Sequence, residues 1–173
     1  MRTWELAFIP GLFQTPDYAR AVAVGPGSWE DPREIEPFVE ARLTRQARLR
    51  SENPLELWAV IHEGALRQLV GGRDVMRQQL GHLLDVAALD TVRIQVVSYL
   101  SGANADTIGA FSIVSSVSPG HWTSYTWTYL LLLSGWRAKR TPPGTGRTFD
   151  RIARVGLAKR NALDLIDTIR KEM

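Results

Sequence analysis

The stretch LWAVIHEGALRQLVGGRDVMRQQLGHLLDVAALDTVRIQVV, Leu57 to Val97, changes its hydrophobic period twice. It opens on the uninterrupted apolar run Leu57–Ile61, which suits a strand buried on both faces. From Arg73 to Ala88 the apolar residues Val75, Met76, Leu80, Leu83, Leu84 and Ala87 fall on one helical stripe, with Arg73, Arg77, Gln78 and Asp85 away from it. Val92, Ile94 and Val96 then alternate with Arg93 and Gln95, the period of a half-buried strand. Strand, helix and strand in that order predict a crossover unit.

Outward from this unit, further elements follow. Downstream, AFSIVSSV predicts a strand over Phe111–Val117, and HWTSYTWTYLLLLSGW a long strand or hairpin including Tyr125–Leu131. On that last stretch Thr123, Tyr125, Trp127 and Tyr129 share one face, and Trp122, Ser124, Thr126 and Thr128 the other. Residues 137–148 read as a basic Pro/Gly loop, and residues 149–173 as C-terminal helices broken near Gly156. Upstream, Ile9-Pro10-Gly11 reads as extended chain entering a turn. Thr15-Pro16-Asp17 starts a helix, with Thr15 as N-cap, Pro16 in the first turn and Asp17 set against the helix dipole. A second helix spans about Pro37 to Ser51, and its Arg42, Arg45 and Arg48 at spacing three read as a solvated face rather than a phosphate site.

The expected fold is therefore α+β. A small mixed or antiparallel sheet of about four to five strands packs with three to four helices in a single domain over 1–173. Residues 1–54 form a helical segment in this reading, and 55–136 the sheet core with the helix at 73–88.

Composition excludes several function classes. The 173 residues contain no cysteine, which removes disulfides, thiolate metal sites and cysteine nucleophiles. Apolar runs such as Leu130–Leu133 fall far short of the roughly 18–20 residues of a membrane helix. With no basic leader followed by an apolar stretch, a cytoplasmic location without membrane contact is the expectation. The net charge is +3, but 18 acidic residues against 21 basic ones make a mixed surface. No direct nucleic-acid contact through this domain is expected. Phosphate loops, dinucleotide fingerprints, nucleophile elbows and zincin motifs are absent, and His62, His82 and His121 lack metal-ligand spacing, so neither cofactor nor metal is expected.

Five ordered blocks, FIPGLFQTPDYARAV, EARLTRQARL, LWAVIHEGALRQLVGGRDVMRQQLGHLLDVAAL, VRIQVVSYLSGANADTIGAFSIV and FDRIARVGLAKRNALDLIDTI, resemble the C-terminal domain of unknown function in actinobacterial helix-turn-helix regulators of the Xre-type, antitoxin-like and WhiJ-like kinds. The resemblance implies a regulatory or partner-binding module, here without its DNA reader. Where the family pattern has Asp-Glu at the end of a strand, this chain has His62-Glu63. Where the family has Tyr-x-Glu, it has Tyr125-Thr126-Trp127. If these positions line one cavity, the cavity has lost acid and gained aromatic surface, which favours a neutral or apolar guest.

The expected ligand-binding residues are Trp127, Tyr125, His62, Glu63, Tyr99 and Trp122, with His62 or Glu63 approaching Tyr125 and Trp127 from a neighbouring buried strand. Glu63 turned inward needs a partner, which marks it as a pocket or network residue. Two functions remain open. One is a domain binding a small molecule or a protein partner, including a second copy of itself. The other is a cofactor-free cyclase or isomerase of specialised metabolism, with His62, Glu63 and Tyr125 as catalytic candidates and substrate folding against aromatic walls as its mechanism.

Overall fold

The computed structural model describes residues 1–25, 31–102, 109–118, 121–128 and 144–173, with the backbone alone for 116–118 and 121–128. The strands are β1 (Arg2–Glu5), β2 (Leu57–His62), β3 (Val92–Val97), β4 (Phe111–Ser118) and β5 (His121–Thr128). The helices are α1 (Pro16–Val24), α2 (Ile35–Gln46), α3 (Glu63–Arg67), α4 (Arg73–Val86), α5 (Thr145–Val155) and α6 (Lys159–Glu172). The class is α+β, as the period analysis requires. Among the described residues the helices number six rather than three to four, because the short α3 separates from α4 and the C-terminal segment is two helices.

One mixed sheet runs in the order β3-β2-β1-β4-β5. β2 pairs in parallel with both β3 and β1, so the expected crossover is present. β4 pairs antiparallel with β1 and with β5. The N-terminal segment is thus not purely helical: β1 is the middle strand and joins the parallel half to the antiparallel half. Only four residues long, with Thr3 and Glu5 alternating with Arg2 and Trp4, it carries neither an apolar run nor an apolar/polar alternation. The basic loop also ends earlier than expected, since α5 already starts at Thr145.

Each face of the sheet has its own core. On one side Leu57, Ala59 and Ile61 of β2, with Ile94 and Val96 of β3, pack against Phe13, Tyr18, Met76, Leu80, Leu83, Ile166 and Ile169. On the other, Trp4, Val60, Val97, Phe111 and Ile113 pack against Phe149 and Ile152 of α5. Gln95, expected at the half-exposed face of β3, is buried on this second side. Its Oε1 accepts from Trp58 Nε1 at 2.8 Å, and its Nε2 donates to the carbonyls of Ala153 at 3.1 Å and Gly156 at 3.3 Å. A side chain at the end of α5 thereby meets carbonyls that the helix itself leaves open.

The first turn of α1 forms as its sequence demands. Thr15 Oγ1 accepts from Tyr18 N at 3.3 Å, and Pro16 occupies the first turn. The residue that docks this region on the rest of the core is Gln79 of α4, which is completely buried. Its Oε1 accepts from Thr15 N and its Nε2 donates to the Phe13 carbonyl, both at 2.7 Å. Gln79→Ala strands two buried backbone groups, each costing about 1–3 kcal/mol, so a urea melt is expected to show a loss of about 2–5 kcal/mol. A loss below about 1 kcal/mol for Gln79→Ala contradicts this role.

Candidate functional site

The loop between β1 and α1 is held open over the sheet by side chains from three elements. Gln14, 1 % exposed, donates from Nε2 to the Ile9 carbonyl at 2.7 Å. Its Oε1 accepts from Arg42 Nη1 at 2.7 Å, and its own carbonyl accepts from Gln46 Nε2 at 2.6 Å. The buried Tyr18 oxygen accepts from Ile9 N at 3.1 Å. The glycine in Pro10-Gly11 serves a close approach. A Cβ there would stand 3.0 Å from Arg42 Nη1, so a larger residue displaces the guanidinium from above the loop.

Beneath this loop, β1 and β4 place polar side chains at core positions. Glu5 is 2 % exposed, Thr3 1 % and Ser112 5 %. Thr3 Oγ1 lies 2.7 Å from Glu5 Oε1 and 2.8 Å from Ser112 Oγ. The charge-assisted bond to the carboxylate takes the single Thr3 proton in preference to the longer 3.4 Å contact with the Phe111 carbonyl. Ser112 must then donate to Thr3, and the hydroxyl protons run as a relay from Ser112 through Thr3 to Glu5.

Loop and floor enclose a pocket of about 150 Å³. Thr3, Glu5 and Ser112 line its sheet side, Pro10, Gly11 and Leu12 its loop side, and Arg42 and Arg45 of α2 its third wall. Arg42 is half-buried and packs its guanidinium 4.3 Å from the Phe38 ring centroid. It is not the solvated residue that the spacing of the α2 arginines suggests. Arg45 is exposed, and its side chain meets no hydrogen-bond or ion-pair partner among the described residues. Tyr18 registers the site's electrostatics from behind: burial, opposed by the bond from Ile9, raised further by Glu5 and lowered by Arg42, leaves its pKa pushed up to about 12.

The residues expected from sequence divide differently. His62, Glu63 and Tyr99 do come together, at the carboxyl ends of β2 and β3. His62 caps α3 by accepting from Gly64 N through Nδ1 at 3.1 Å, which leaves the ring proton on Nε2. Its ring meets Tyr99 edge-on at 5.3 Å and Trp4 at 6.3 Å. Glu63, 6 % exposed, has the partners that burial demands: Arg67 Nε at 2.7 Å and the Tyr99 amide at 3.0 Å. Arg67 continues to Glu172 at 2.8 Å, tying α3 to α6. Trp4 Nε1, also buried here, has no hydrogen-bond partner among the described residues.

None of these three residues lines the 150 Å³ pocket, and β2 is not the neighbour of β5, because β1 and β4 lie between them. On β5 the register sets Trp127 opposite Ser112, Tyr125 opposite Val114 and Trp122 opposite Val117. The side chains of Tyr125, Trp127 and Trp122 lie outside the described residues. Sequence reasoning missed Glu5, Thr3, Ser112 and Gly11 as site residues. The one available signal was the pair of acceptors spaced by two in Thr3-Trp4-Glu5, legible only once that segment is known to be a strand.

A family model described as a domain of unknown function, DUF5753, matches residues 1–168. No curated protein and no solved structure matches the chain.

The raised Tyr18 pKa fixes a pH dependence. The phenol is neutral in both states below about 10, its unfolded value; between about 10 and 12 the unfolded chain ionises it and the folded chain does not. Stability therefore falls as pH rises through this window, by up to about 2–3 kcal/mol from this group. The measurement is the difference in urea-unfolding free energy between wild type and Tyr18→Phe at pH values from 9 to 12. It is expected to shrink with rising pH, and a constant difference refutes the assignment.

Proposed function

The chain belongs to the DUF5753 domain family, and on that premise we propose that it is a small-molecule-binding domain of the transcriptional-regulator effector type, whose ligand occupies the pocket between β1, β4 and α2. The observation that carries this reading is the buried relay Ser112–Thr3–Glu5 exposed to a cavity at the centre of the sheet. A domain that needed only stability would do as well with apolar residues at these positions, since buried ionic groups return little or nothing over well-packed hydrophobic ones. Polar groups kept in a central strand, beside an opening and under two arginines, are the arrangement of a recognition site.

The resemblance to the domain appended to actinobacterial helix-turn-helix regulators supports the same reading, since an effector domain needs a site of this kind. The lining moves the preferred guest from the neutral or apolar class expected from sequence to a polar one. Trp127 remains within the proposal because its ladder partner, Ser112, is a pocket residue.

The test is a fragment screen followed by proton–nitrogen correlation spectra, with a panel of anionic, cationic, neutral and zwitterionic molecules of about ten heavy atoms or fewer, the size such a cavity admits. Concentration-dependent shifts are expected at the amides of Thr3, Glu5, Gly11, Leu12 and Ser112. If no panel member moves those amides, or if shifts cluster only elsewhere, the binding reading falls.

A further inference from the structure

We propose that the outer side of α5 is a docking surface for a nucleic-acid duplex, which sets the phosphates of one strand against Arg147, Arg151 and Arg154. α5 packs on the face of the sheet opposite the pocket, so this surface lies beyond the binding reading above and is independent of it.

The near balance of 21 basic and 18 acidic residues conceals where the excess lies. From Gly144 to Asp164 the chain holds five cationic residues, Arg147, Arg151, Arg154, Lys159 and Arg160, and two acids, Asp150 and Asp164, a net +3 (five less two). The whole chain is also +3, so the remaining sequence sums to zero (three less three). At about 100° per residue the three arginines of α5 fall within about 60° of one another, opposite the buried Phe149, Ile152 and Ala153. All three are exposed. Asp150 borders the stripe but is engaged by Arg2 at 3.3 Å, and Asp164 belongs to α6, which packs on the far face of the sheet. The chain then turns round the edge of β3, where Leu157 N donates to the Val96 carbonyl at 2.8 Å, and two more exposed cations, Lys159 and Arg160, follow.

Nothing among the described residues offsets this concentration. Arg20, Arg67, Arg77 and Arg170, on other helices, each hold a carboxylate, whereas Arg147, Arg151 and Arg154 have no hydrogen-bond or ion-pair partner among the described residues. Arg147 and Arg151 stand at i,i+4 and Arg151 and Arg154 at i,i+3, spacings at which like charges repel. Arg147 also sits in the first turn of α5, where the helix dipole disfavours a cation and no acid is present, and α6 opens the same way on Lys159 and Arg160. A helix face that serves solubility alone mixes its charges.

What the ridge lacks identifies its occupant. Exposed ion pairs contribute little each, so an acidic protein needs apolar anchors beside them, and Val155, 39 % exposed, is the one large apolar side chain that α5 presents. A duplex needs none, because neutralising its phosphates releases condensed counterions. α5 exposes no aromatic ring on which the bases of a single strand could stack. From Arg147 to Arg154 the ridge is about 10 Å long and faces about three phosphates of one strand, one for each guanidinium. Contacts of this kind carry no base sequence.

The probe is a fluorescein-labelled DNA duplex of about 20 base pairs and mixed sequence, titrated with the protein at about 50 and 200 mM salt and read by anisotropy. With three to five phosphate contacts, affinity is expected to fall about 40- to 500-fold between the two conditions, a logarithmic slope of about −3 to −4.5. The triple variant Arg147→Gln, Arg151→Gln, Arg154→Gln is expected to weaken binding at the lower salt at least about tenfold and to flatten the slope by about 3. Its thermal midpoint is expected to stay level or rise, since the substitution removes like-charge repulsion and no folded contact. Arg45→Gln, Arg48→Gln, Arg50→Gln removes the same charge from exposed positions in and after α2 and is expected to change affinity less than about threefold. The proposal is overturned if the duplex does not bind at about 50 mM salt, or if the α2 triple variant loses as much affinity as the α5 one. It is equally overturned if poly-L-glutamate competes as well as unlabelled duplex, which assigns the ridge to an acidic protein, or if a single strand of the same length binds more tightly. None of these outcomes bears on the pocket-amide shifts of the fragment screen.

Discussion

A carboxylate at the centre of a sheet is the constraint from which the N-terminal half of this domain follows. Glu5 sits on the middle strand at 2 % exposure, in a place where an ion stripped of water costs several kcal/mol unless it is met. Thr3 meets it from the neighbouring position on the strand, and Ser112 in turn bonds Thr3. From above come the positive field of Arg42 and the neutral Tyr18 phenol, and the rise of Tyr18 to about 12 reports how dry this region is. α1 and α2 cannot be replaced by any two amphipathic helices, because their apolar faces alone would not balance Glu5. They must deliver a guanidinium and a phenol to one spot, and the loop between β1 and α1 must leave room for the guanidinium, which is why Gly11 lies beneath it.

The same demand explains an unusual reliance on glutamine. Gln14, Gln46 and Gln79 each bond main-chain atoms of the segment Ile9–Thr15, which has little regular structure of its own beyond one 3-10 turn at Gly11–Phe13. A buried loop needs partners for its amides and carbonyls, and an amide side chain supplies a donor and an acceptor together. Arg42 locks Gln14 in turn, so the loop, α2 and the pocket wall form one hydrogen-bonded unit. α4 joins it through Gln79. Such locking is what the proposed binding site requires, since a site needs its supporting residues held in place.

Most of the framework could be read from periodicity. β2, α4 and β3 were legible because long runs of apolar residues at periods of two and 3.6 are statements about burial, and the α1 start was legible from Thr15 and Pro16. β1 was not, for a physical reason. A strand of four residues with polar side chains on one face shows no apolar period, and what stabilises it is tertiary: pairing on both sides and a relay to Ser112 more than a hundred residues away. Gln95 was misplaced for the same reason, since a glutamine turned toward α5 carbonyls looks in sequence like one turned toward water. The candidate site inherited these errors. His62, Glu63 and Tyr99 were found because neighbouring residues and a buried acid invite attention, whereas Glu5 was invisible without the strand that carries it.

The two constellations on this sheet also separate two questions that the sequence had merged. His62, where the resemblance led us to expect an acid, lies at the end of β2, and its imidazole packs against Tyr99 and Trp4, on the strand face that also holds Val60 and belongs to the α5 side. The pocket opens on the opposite face, over Thr3, Glu5 and Leu57. A change of charge at position 62 therefore acts across the thickness of a packed sheet, not by direct contact with a guest. An imidazole rather than an acid there does not make the pocket neutral, because the pocket's carboxylate, Glu5, comes from β1. The His62 cluster has its own work: Nδ1 caps α3, and Glu63, held by Arg67, fastens the chain leaving β3 through the Tyr99 amide. With Arg67 reaching Glu172, this cluster anchors α3, α6 and the end of β3 to one another. The bonds of His62 Nδ1, Glu63 and Arg67 all run to groups that hold the fold, while the Ser112–Thr3–Glu5 relay lines the pocket. That difference in where the polar groups lie, rather than the number of aromatic rings nearby, is why the proposed site is set at the relay and not at the His62 cluster.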